Sequence, residues 1–365
     1  MEKLIYYPVT FGCDPEFFFS KDGRIIGAEK VLPEEGLVYK SGDLLGNPED
    51  GRHTSIGTDP SKIIIDGVQA ELNPRPNICR ANLGNEIACC FKKLAGFVKD
   101  KKGINIDFYQ TIKLDKEDMD VLSDKSKKFG CMPSKNAHNG GKESRMSVDA
   151  SVYQYRSAGG HIHLGSKLGD KIVKEVLAQP ERIIKLMDVI VGNTCVLIDR
   201  DAGNIERRKV YGRAGEFRTP KHGVEYRTLS NFWLRSYQLM SLVMGLARVA
   251  VIIVANNRDD EFLKLVDMED ITEAINKNDF KLALSNFKKI EKLWCELMPN
   301  NTEQFEIAGD TMPLFKHFVK MGLDHWFKEA PLKHWTSMPE GHSNGFGNFL
   351  LDVVKKDKEA MIAKI

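Results

Sequence analysis

The chain is nearly without net charge: its 53 lysines and arginines face 51 acids, for a formal charge of +2. A dedicated nucleic-acid binder would show a basic face, or a basic tract interleaved with aromatics, and neither is present. Disulfide patterning is equally lacking. The seven cysteines (Cys13, Cys79, Cys89, Cys90, Cys131, Cys195 and Cys295) are odd in number and never spaced C-x-x-C, which reads as reduced thiols in a cytoplasmic protein. Met1 to Tyr7 has no long apolar core, so no signal peptide is expected. The most apolar run, Leu239 to Ala255, falls short of a bilayer span and carries Arg248 near its middle. A buried core helix is expected there, and no membrane association. Neither G-x-x-x-x-G-K-[ST] nor G-x-G-x-x-G after a strand occurs, so any nucleotide must be held by another device. There is no internal repeat and no low-complexity segment.

What the 365 residues do contain is a central stretch, Tyr155 to Gly165, around which the rest is arranged. As a strand it places His161 and His163 on one face and Ile162 and Leu164 on the other. Gly159 and Gly160 before it let a backbone or a ligand come close. The same i, i+2 polar pairing returns three times. Asp14 and Glu16 share a face, with Pro15 between them; proline cannot donate to a ladder, so an edge or a bulge is expected. Phe17, Phe18 and Phe19 follow at once and argue for burial, where carboxylates need a partner or a cation. Lys62 to Pro74 reads as a hairpin about Asp66-Gly67, with Gln69, Glu71 and Asn73 on one face of the return strand. Val224 to Leu229 reads as a strand with Glu225 and Arg227 on one face, entered from a basic, irregular stretch over 199–222 that includes Arg213 and Arg218.

Between these strands, residues 5–19 alternate and turn at Asp22-Gly23 into a second strand, Arg24 to Ala28. Residues 30–61 read as an irregular insertion with at most a short strand near Leu37 to Tyr39. Ala81 to Lys101 has helical spacing, Ile104 to Leu114 alternates as a strand, and 123–150 reads as loop. Helices are expected over Gly169 to Ala178 and Pro180 to Ile198, then over about 232–255, 259–276, 279–297 and 303–322. The tail carries Trp326, Trp335 and a glycine-rich connector, Gly341 to Gly347.

One polar pair could be a wet strand edge. Four, each backed by apolar or small residues, predict a sheet with one face on the core and the other lining a polar cavity. Carboxylates converging in such a cavity repel one another unless cations neutralise them. Oxygen-rich sites with an occasional imidazole suit Mg²⁺ or Mn²⁺. Arginines opposite, such as Arg218 and Arg227, suit an anionic phosphoryl group, and metals with arginines are the recurring equipment of phosphoryl transfer. A non-catalytic binding module would leave these pairs without purpose. A metal-dependent hydrolase using His161 and His163 is the alternative that indifference to ATP would reveal.

Three motifs carry a family resemblance. Gly12 to Phe17 resembles the G-x-E-x-E-F strand of the glutamate–cysteine ligases. Gly160 to Gly165 resembles their H-V-H strand and the G-M-H-x-H of glutamine synthetases. Val224 to Arg227 resembles their late E-x-R strand, and the order along the chain is the same. The match is to the phage-type carboxylate–amine ligases, type 2, of the glutamine synthetase-like superfamily. The motifs span about residues 10–235, and the helical C-terminal third matches more loosely.

That resemblance implies an α+β fold with a concave antiparallel catalytic sheet backed by helices. It implies a single catalytic domain over 1–365, with a sheet-forming part over about 5–235 and a mostly helical part over about 236–365. It further implies ATP and Mg²⁺ (or Mn²⁺), activation of a carboxylate as an acyl phosphate, and amide or peptide bond formation with an amine donor. The partners are then a small-molecule or peptide carboxylate and an amine, met by a cytoplasmic monomer or homodimer. By motif, Glu16 and Glu71 would hold the metal nearer the acceptor. His161 and Glu225, with Asp14, would hold the metal between the nucleotide phosphates. His163, Arg218 and Arg227, with Arg213, would contact the transferring phosphoryl group. Two departures stand out: Asp14 replaces the family's glutamate, and the segment around Glu71 matches by pattern only. Guanidino-group kinases share the superfamily fold but lack the H-x-H strand.

Overall fold

The computed structural model describes residues 4–39, 60–127, 133–144, 148–149, 152–166, 168–298, 311–321 and 330–337. Among the described residues fourteen short strands run in chain order. They are β1 Thr10–Cys13, β2 Glu16–Lys21, β3 Arg24–Ile26, β4 Leu37–Tyr39, β5 Ser61–Asp66, β6 Gln69–Asn73 and β7 Ile104–Asp107. Then come β8 Thr111–Lys113, β9 Ser134–Asn136, β10 Lys142–Ser144, β11 Tyr155–Ser157, β12 Ile162–Gly165, β13 Glu216–Arg218 and β14 Gly223–Tyr226. Every pairing among the described residues is antiparallel. The first sheet has the order β1-β12-β14-β13-β9-β10, the second β3-β2-β6-β5-β4 with β7 also on β2, and β8 and β11 form a separate ribbon.

The alternating stretch over 5–19 is therefore two strands in two sheets. The change of sheet falls at Asp14-Pro15, where proline has no N–H for a ladder. The chain stays anchored on both sides of the break. The Leu72 N–H donates to the Pro15 carbonyl (3.0 Å) and the Glu16 N–H to the Gly159 carbonyl (2.9 Å). β2 buries both of its faces, which explains three successive phenylalanines. Phe17 and Phe19 enter the main core, while Phe18 packs with Val68, Leu114 and Ala158 in a smaller one.

The helix Arg80–Lys99 packs on β5 and β7. The helices Lys171–Leu177 and Pro180–Met187 cover β12 to β14. The helix Tyr237–Ala255 packs against all three. Among the described residues it is the one helix long and apolar enough to cross a membrane, and its apolar window is wholly buried, as expected of a core helix. Arg248 inside it donates to the Ile78 carbonyl and stacks 4.9 Å from the Phe11 ring centroid, so its charge is satisfied within the core.

Several expectations need correction. The stretch over 104–114 is two strands, and 123–150 contains β9 and β10. The basic stretch over 199–222 contains the helix Gly203–Val210 and β13. The helix begun at Pro180 gives way to a π-turn at Asp188–Gly192, where a Cβ on Gly192 would lie 2.5 Å from the Tyr226 hydroxyl. The helix expected over 232–255 starts at Tyr237, after a 3₁₀ turn at Asn231–Arg235, and the one expected over 259–276 is broken at residues 264–267, while the gap at 256–258 is where the spacing put it. Cys131, residues 40–59 and 303–310, Trp326 and Gly341 to Gly347 lie outside the described residues.

Candidate active site

The register of the first sheet builds the site. Gly12, His163, Glu225 and Arg218 stand opposite one another across β1, β12, β14 and β13. Because side chains on a strand repeat every second residue, Asp14, His161 and Arg227 form the next row on the same face. Glu216 continues that row, its carbonyl accepting from the Arg227 N–H at 3.0 Å. The four polar pairs do meet, but at the junction of two sheets. Glu71 and Asn73 come from the second sheet, and Asn73 Nδ2 donates to Glu71 Oε1 at 2.7 Å.

Asp14 is the hub. Its Oδ1 lies 3.1 Å from His161 Nδ1 and its Oδ2 3.2 Å from His163 Nε2, while His161 Nδ1 lies 3.5 Å from Glu225 Oε1. Asp14 Oδ1, His161 Nδ1, His163 Nε2 and Glu225 Oε1 are all buried, yet none makes a well-aligned hydrogen bond among the described residues. Such convergent, unsatisfied lone pairs fit a cation. One ligand atom each from Asp14, His163 and Glu225 falls within 4.8 Å of the others. Burial alone would raise Asp14, but the imidazoles of His161 and His163 outweigh it and hold the carboxyl well below the usual range. Burial lowers His161, whereas at His163 the carboxylates of Asp14 and Glu225 together outweigh burial and raise the ring.

A second cluster lies beside the first. Glu16 on β2 is directly opposite Glu71 on β6, and Asp66 at the end of β5 joins them, with ligand atoms again within 4.8 Å. Like charges opposite one another across a ladder are destabilising without a counter-charge. Glu16 is fixed by the Gly159 N–H (2.7 Å) and by the Tyr211 hydroxyl (3.0 Å). Burial, then the neighbouring Asp66, push Glu16 up to about 8. Burial followed by Asp14 raises both Asp66 and Glu71.

The arginines separate. Arg227 has a side chain only 1% exposed, with Nε 3.0 Å from Glu225 Oε1, Nη1 on the Ser134 hydroxyl and its face toward the Tyr211 ring. It is buried in this ion pair and fixes Glu225, whereas the phosphoryl contact expected from the sequence would need a more open position like that of Arg218. Arg218, 28% exposed and 3.7 Å from Glu225 Oε1, is the guanidinium that meets solvent in this row. Arg213 lies 3.8 Å from Glu216 Oε1, at the far end of the Asp14 row, and donates to the Arg208 carbonyl (2.9 Å).

Other residues of the site escaped the sequence reading. Asp66 passed only as a turn former; folding the hairpin puts Ile64 opposite Glu71 and so Asp66 on the same face. His222, in the turn between β13 and β14, lies beside His163 with ring centroids 5.1 Å apart and an interplanar angle of 11°. A cavity of 310 Å³ opens beside this pair, lined in part by Gly12, Asn73, Pro74 and Pro76. Tyr226, between Glu225 and Arg227 on the opposite face, donates to Asp188 (2.8 Å), which also holds His138 Nε2 (2.6 Å). Arg207 is fully buried and donates to the carbonyls of Arg227, Thr228 and Leu229, which continue beyond the end of β14. Gly159 and Gly160 make room for protein: a Cβ on Gly159 would lie 2.5 Å from His161 Nε2, and one on Gly160 2.4 Å from the Ser230 carbonyl.

The raised Glu16 fixes a pH dependence. Its folded pKa of about 8 exceeds the ordinary carboxylate value, so the folded chain keeps a proton that the unfolded chain releases. That contribution is full below the unfolded pKa and is lost as pH rises through about 8. In chelator, thermal stability should fall between about pH 5 and about pH 8. Glu16→Gln, which mimics the protonated acid, should remove much of the fall, and Mg²⁺ should restore stability at the alkaline end. A flat profile in chelator would contradict the burial of these three acids.

Residues 139–321, half of the chain, match the family described as phage phiEco32-like COOH·NH2 ligase, type 2. The matched segment contains His161, His163, Arg213, Arg218, Glu225 and Arg227; Asp14, Glu16, Asp66 and Glu71 lie before it. No curated protein matches the sequence. Among solved structures, a glutamine synthase homolog is similar at 11% identity with a TM-score of 0.32, over 86% of this chain and 70% of that one. The chain belongs to the phage phiEco32-like COOH·NH2 ligase type 2 family, an enzyme family of ligases.

Proposed function

We propose that the chain joins a carboxylate to an amine at the expense of ATP, through an acyl phosphate. One observation carries this reading. Two acid-rich clusters, Asp14/His163/Glu225 and Glu16/Asp66/Glu71, lie side by side at the sheet junction, and an accessible arginine, Arg218, stands in the same cross-strand row. The cluster of Asp14, His163 and Glu225 would hold one divalent cation, and Glu16, Asp66 and Glu71 another. His161 completes the first from beside Asp14 and Glu225. Mg²⁺ or Mn²⁺ bound there would neutralise the acids and the phosphates and draw charge from the transferring group.

The chemistry asks positioning rather than covalent work of the protein. A carboxylate oxygen attacks the γ-phosphorus, the bond to the ADP oxygen breaks, and the acyl phosphate forms. The amine then attacks the acyl carbon, phosphate departs with the former carboxylate oxygen, and the amine loses a proton. Arg218, partly exposed beside Glu225, would bind the equatorial oxygens of the phosphoryl group, where charge builds in the transition state. Arg227 fixes Glu225, and Tyr211 with the Gly159 N–H fixes Glu16. The cavity beside His163 gives a substrate access to the row.

The test is an ATP-consumption screen over mixed carboxylates and amines with Mg²⁺, read by mass spectrometry, using carboxylates labelled with oxygen-18. An acyl phosphate places one labelled oxygen in the released phosphate. Consumption of ATP with unlabelled phosphate and no amide would sink the ligase mechanism. Metal-dependent cleavage of an amide or ester without ATP would favour the hydrolase reading of His161 and His163.

A further inference from the structure

We propose that His222 is a positioning residue for the cation held by Asp14, His163 and Glu225: it accepts the Nδ1–H of His163 and leaves the His163 Nε2 lone pair to face the cation. This rests on the reading above that the cluster takes a divalent cation. The geometry is a short chain of groups. His222 Nε2 lies 3.0 Å from His163 Nδ1, and His163 Nε2 lies 3.2 Å from Asp14 Oδ2. One hydrogen lies between the two ring nitrogens. If His222 carries it, a neutral His163 has its own hydrogen on Nε2, aimed at Asp14, and cannot ligate. If His163 carries it, Nε2 presents a lone pair into the cluster. Ligating histidines fix their tautomer by donating the other N–H to an acceptor, and His222 is the acceptor placed to receive it.

The backbone is built to bring the two rings together. His222 precedes Gly223, whose φ of +149° is open to glycine and strained for other residues. A Cβ on Gly223 would lie 2.0 Å from the Leu164 carbonyl oxygen, so only glycine lets the turn approach β12 this closely. The rings are nearly coplanar, within 11° of parallel with centroids 5.1 Å apart, so the contact between the two nitrogens runs edge to edge as a hydrogen bond requires. His222 itself is exposed in the turn, outside the core, which allows its replacement without loss of the fold.

The experiment uses Mg²⁺ alone as the probe and the full chain with nitrogen-15 in its histidine rings. His163 ring signals report this site and not the neighbouring carboxylate cluster. In the unaltered protein, Mg²⁺ should convert His163 to the Nδ1–H tautomer. His222→Leu should weaken that Mg²⁺ affinity by about tenfold or more, with Nε2–H appearing at His163. His222→Gln, whose amide oxygen can accept the same hydrogen, should stay within about threefold of the unaltered protein. Unchanged affinity and tautomer in His222→Leu overturn the positioning role, whatever the ATP screen shows. Absence of any Mg²⁺ effect on His163 in the unaltered protein overturns both this role and the metal reading. Mg²⁺ behaviour as described, without ATP turnover, supports the role and removes only the ligase mechanism.

Discussion

Arg218→Ala should lower turnover by about 10²–10³ while leaving thermal unfolding nearly where it was. The side chain is 28% exposed and its nearest Glu225 oxygen is 3.7 Å away, so the ion pair it loses is a partly solvated one. Pairs of that kind contribute about 0–1 kcal/mol to folding. Its effect on chemistry is of another size. Charge moves onto the phosphoryl oxygens in the transition state, and a guanidinium already fixed nearby stabilises that charge without reorganising. Lysine at the same position should recover only part of the rate, because a point charge replaces a planar fork. Rates per folded molecule and melting curves on one preparation test this directly. An unchanged rate would take Arg218 out of the mechanism, and a large drop in melting temperature would make it structural.

The site was legible wherever its logic is local. Alternation on a strand is decided by backbone geometry, so His161 with His163, Glu225 with Arg227, and Glu71 with Asn73 could be paired from spacing alone. The in-register row of Gly12, His163, Glu225 and Arg218 could not, because register depends on partners that sequence spacing does not name. Pro15 announced a break in the ladder but not that the chain would change sheets there. Asp66 was hidden by its second use as a turn residue, and His222 by lying in a stretch with no visible period.

Burial was the least legible quantity. In the helix Gly203–Val210, Ile205 is exposed and Arg207 is fully buried, the reverse of what composition suggests. The reason is a demand elsewhere: the carbonyls just past β14 need donors, and one guanidinium supplies three of them. The same blindness affects Arg213 and Arg227. Sequence places both near the late strand, but only the packing shows Arg227 buried by Tyr211 and Ser134 and Arg213 half-exposed beside Glu216.

Arg227→Ala is expected to do the opposite of Arg218→Ala and act first on folding. Its guanidinium is sealed between Glu225, Ser134 and Tyr211, so alanine leaves a cavity and a buried carboxylate that has lost its nearest cation. Removing one partner of a buried ion pair typically costs about 3–5 kcal/mol. His161 at 3.5 Å and Arg218 at 3.7 Å remain near Glu225 and should keep the cost toward the lower end of that range. Mg²⁺ should return part of the loss, since a cation that binds the folded cluster stabilises it by mass action and neutralises Glu225. Denaturant midpoints in chelator and in Mg²⁺ measure both effects. Arg227→Met keeps much of the volume without the charge, so it separates the cavity from the stranded carboxylate: if Glu225 is the cause, methionine should be nearly as destabilised as alanine in chelator and should recover in Mg²⁺. A chelator midpoint close to that of the unaltered protein, in either variant, would mean that Arg227 does not hold Glu225 and would reopen its place among the groups that touch substrate.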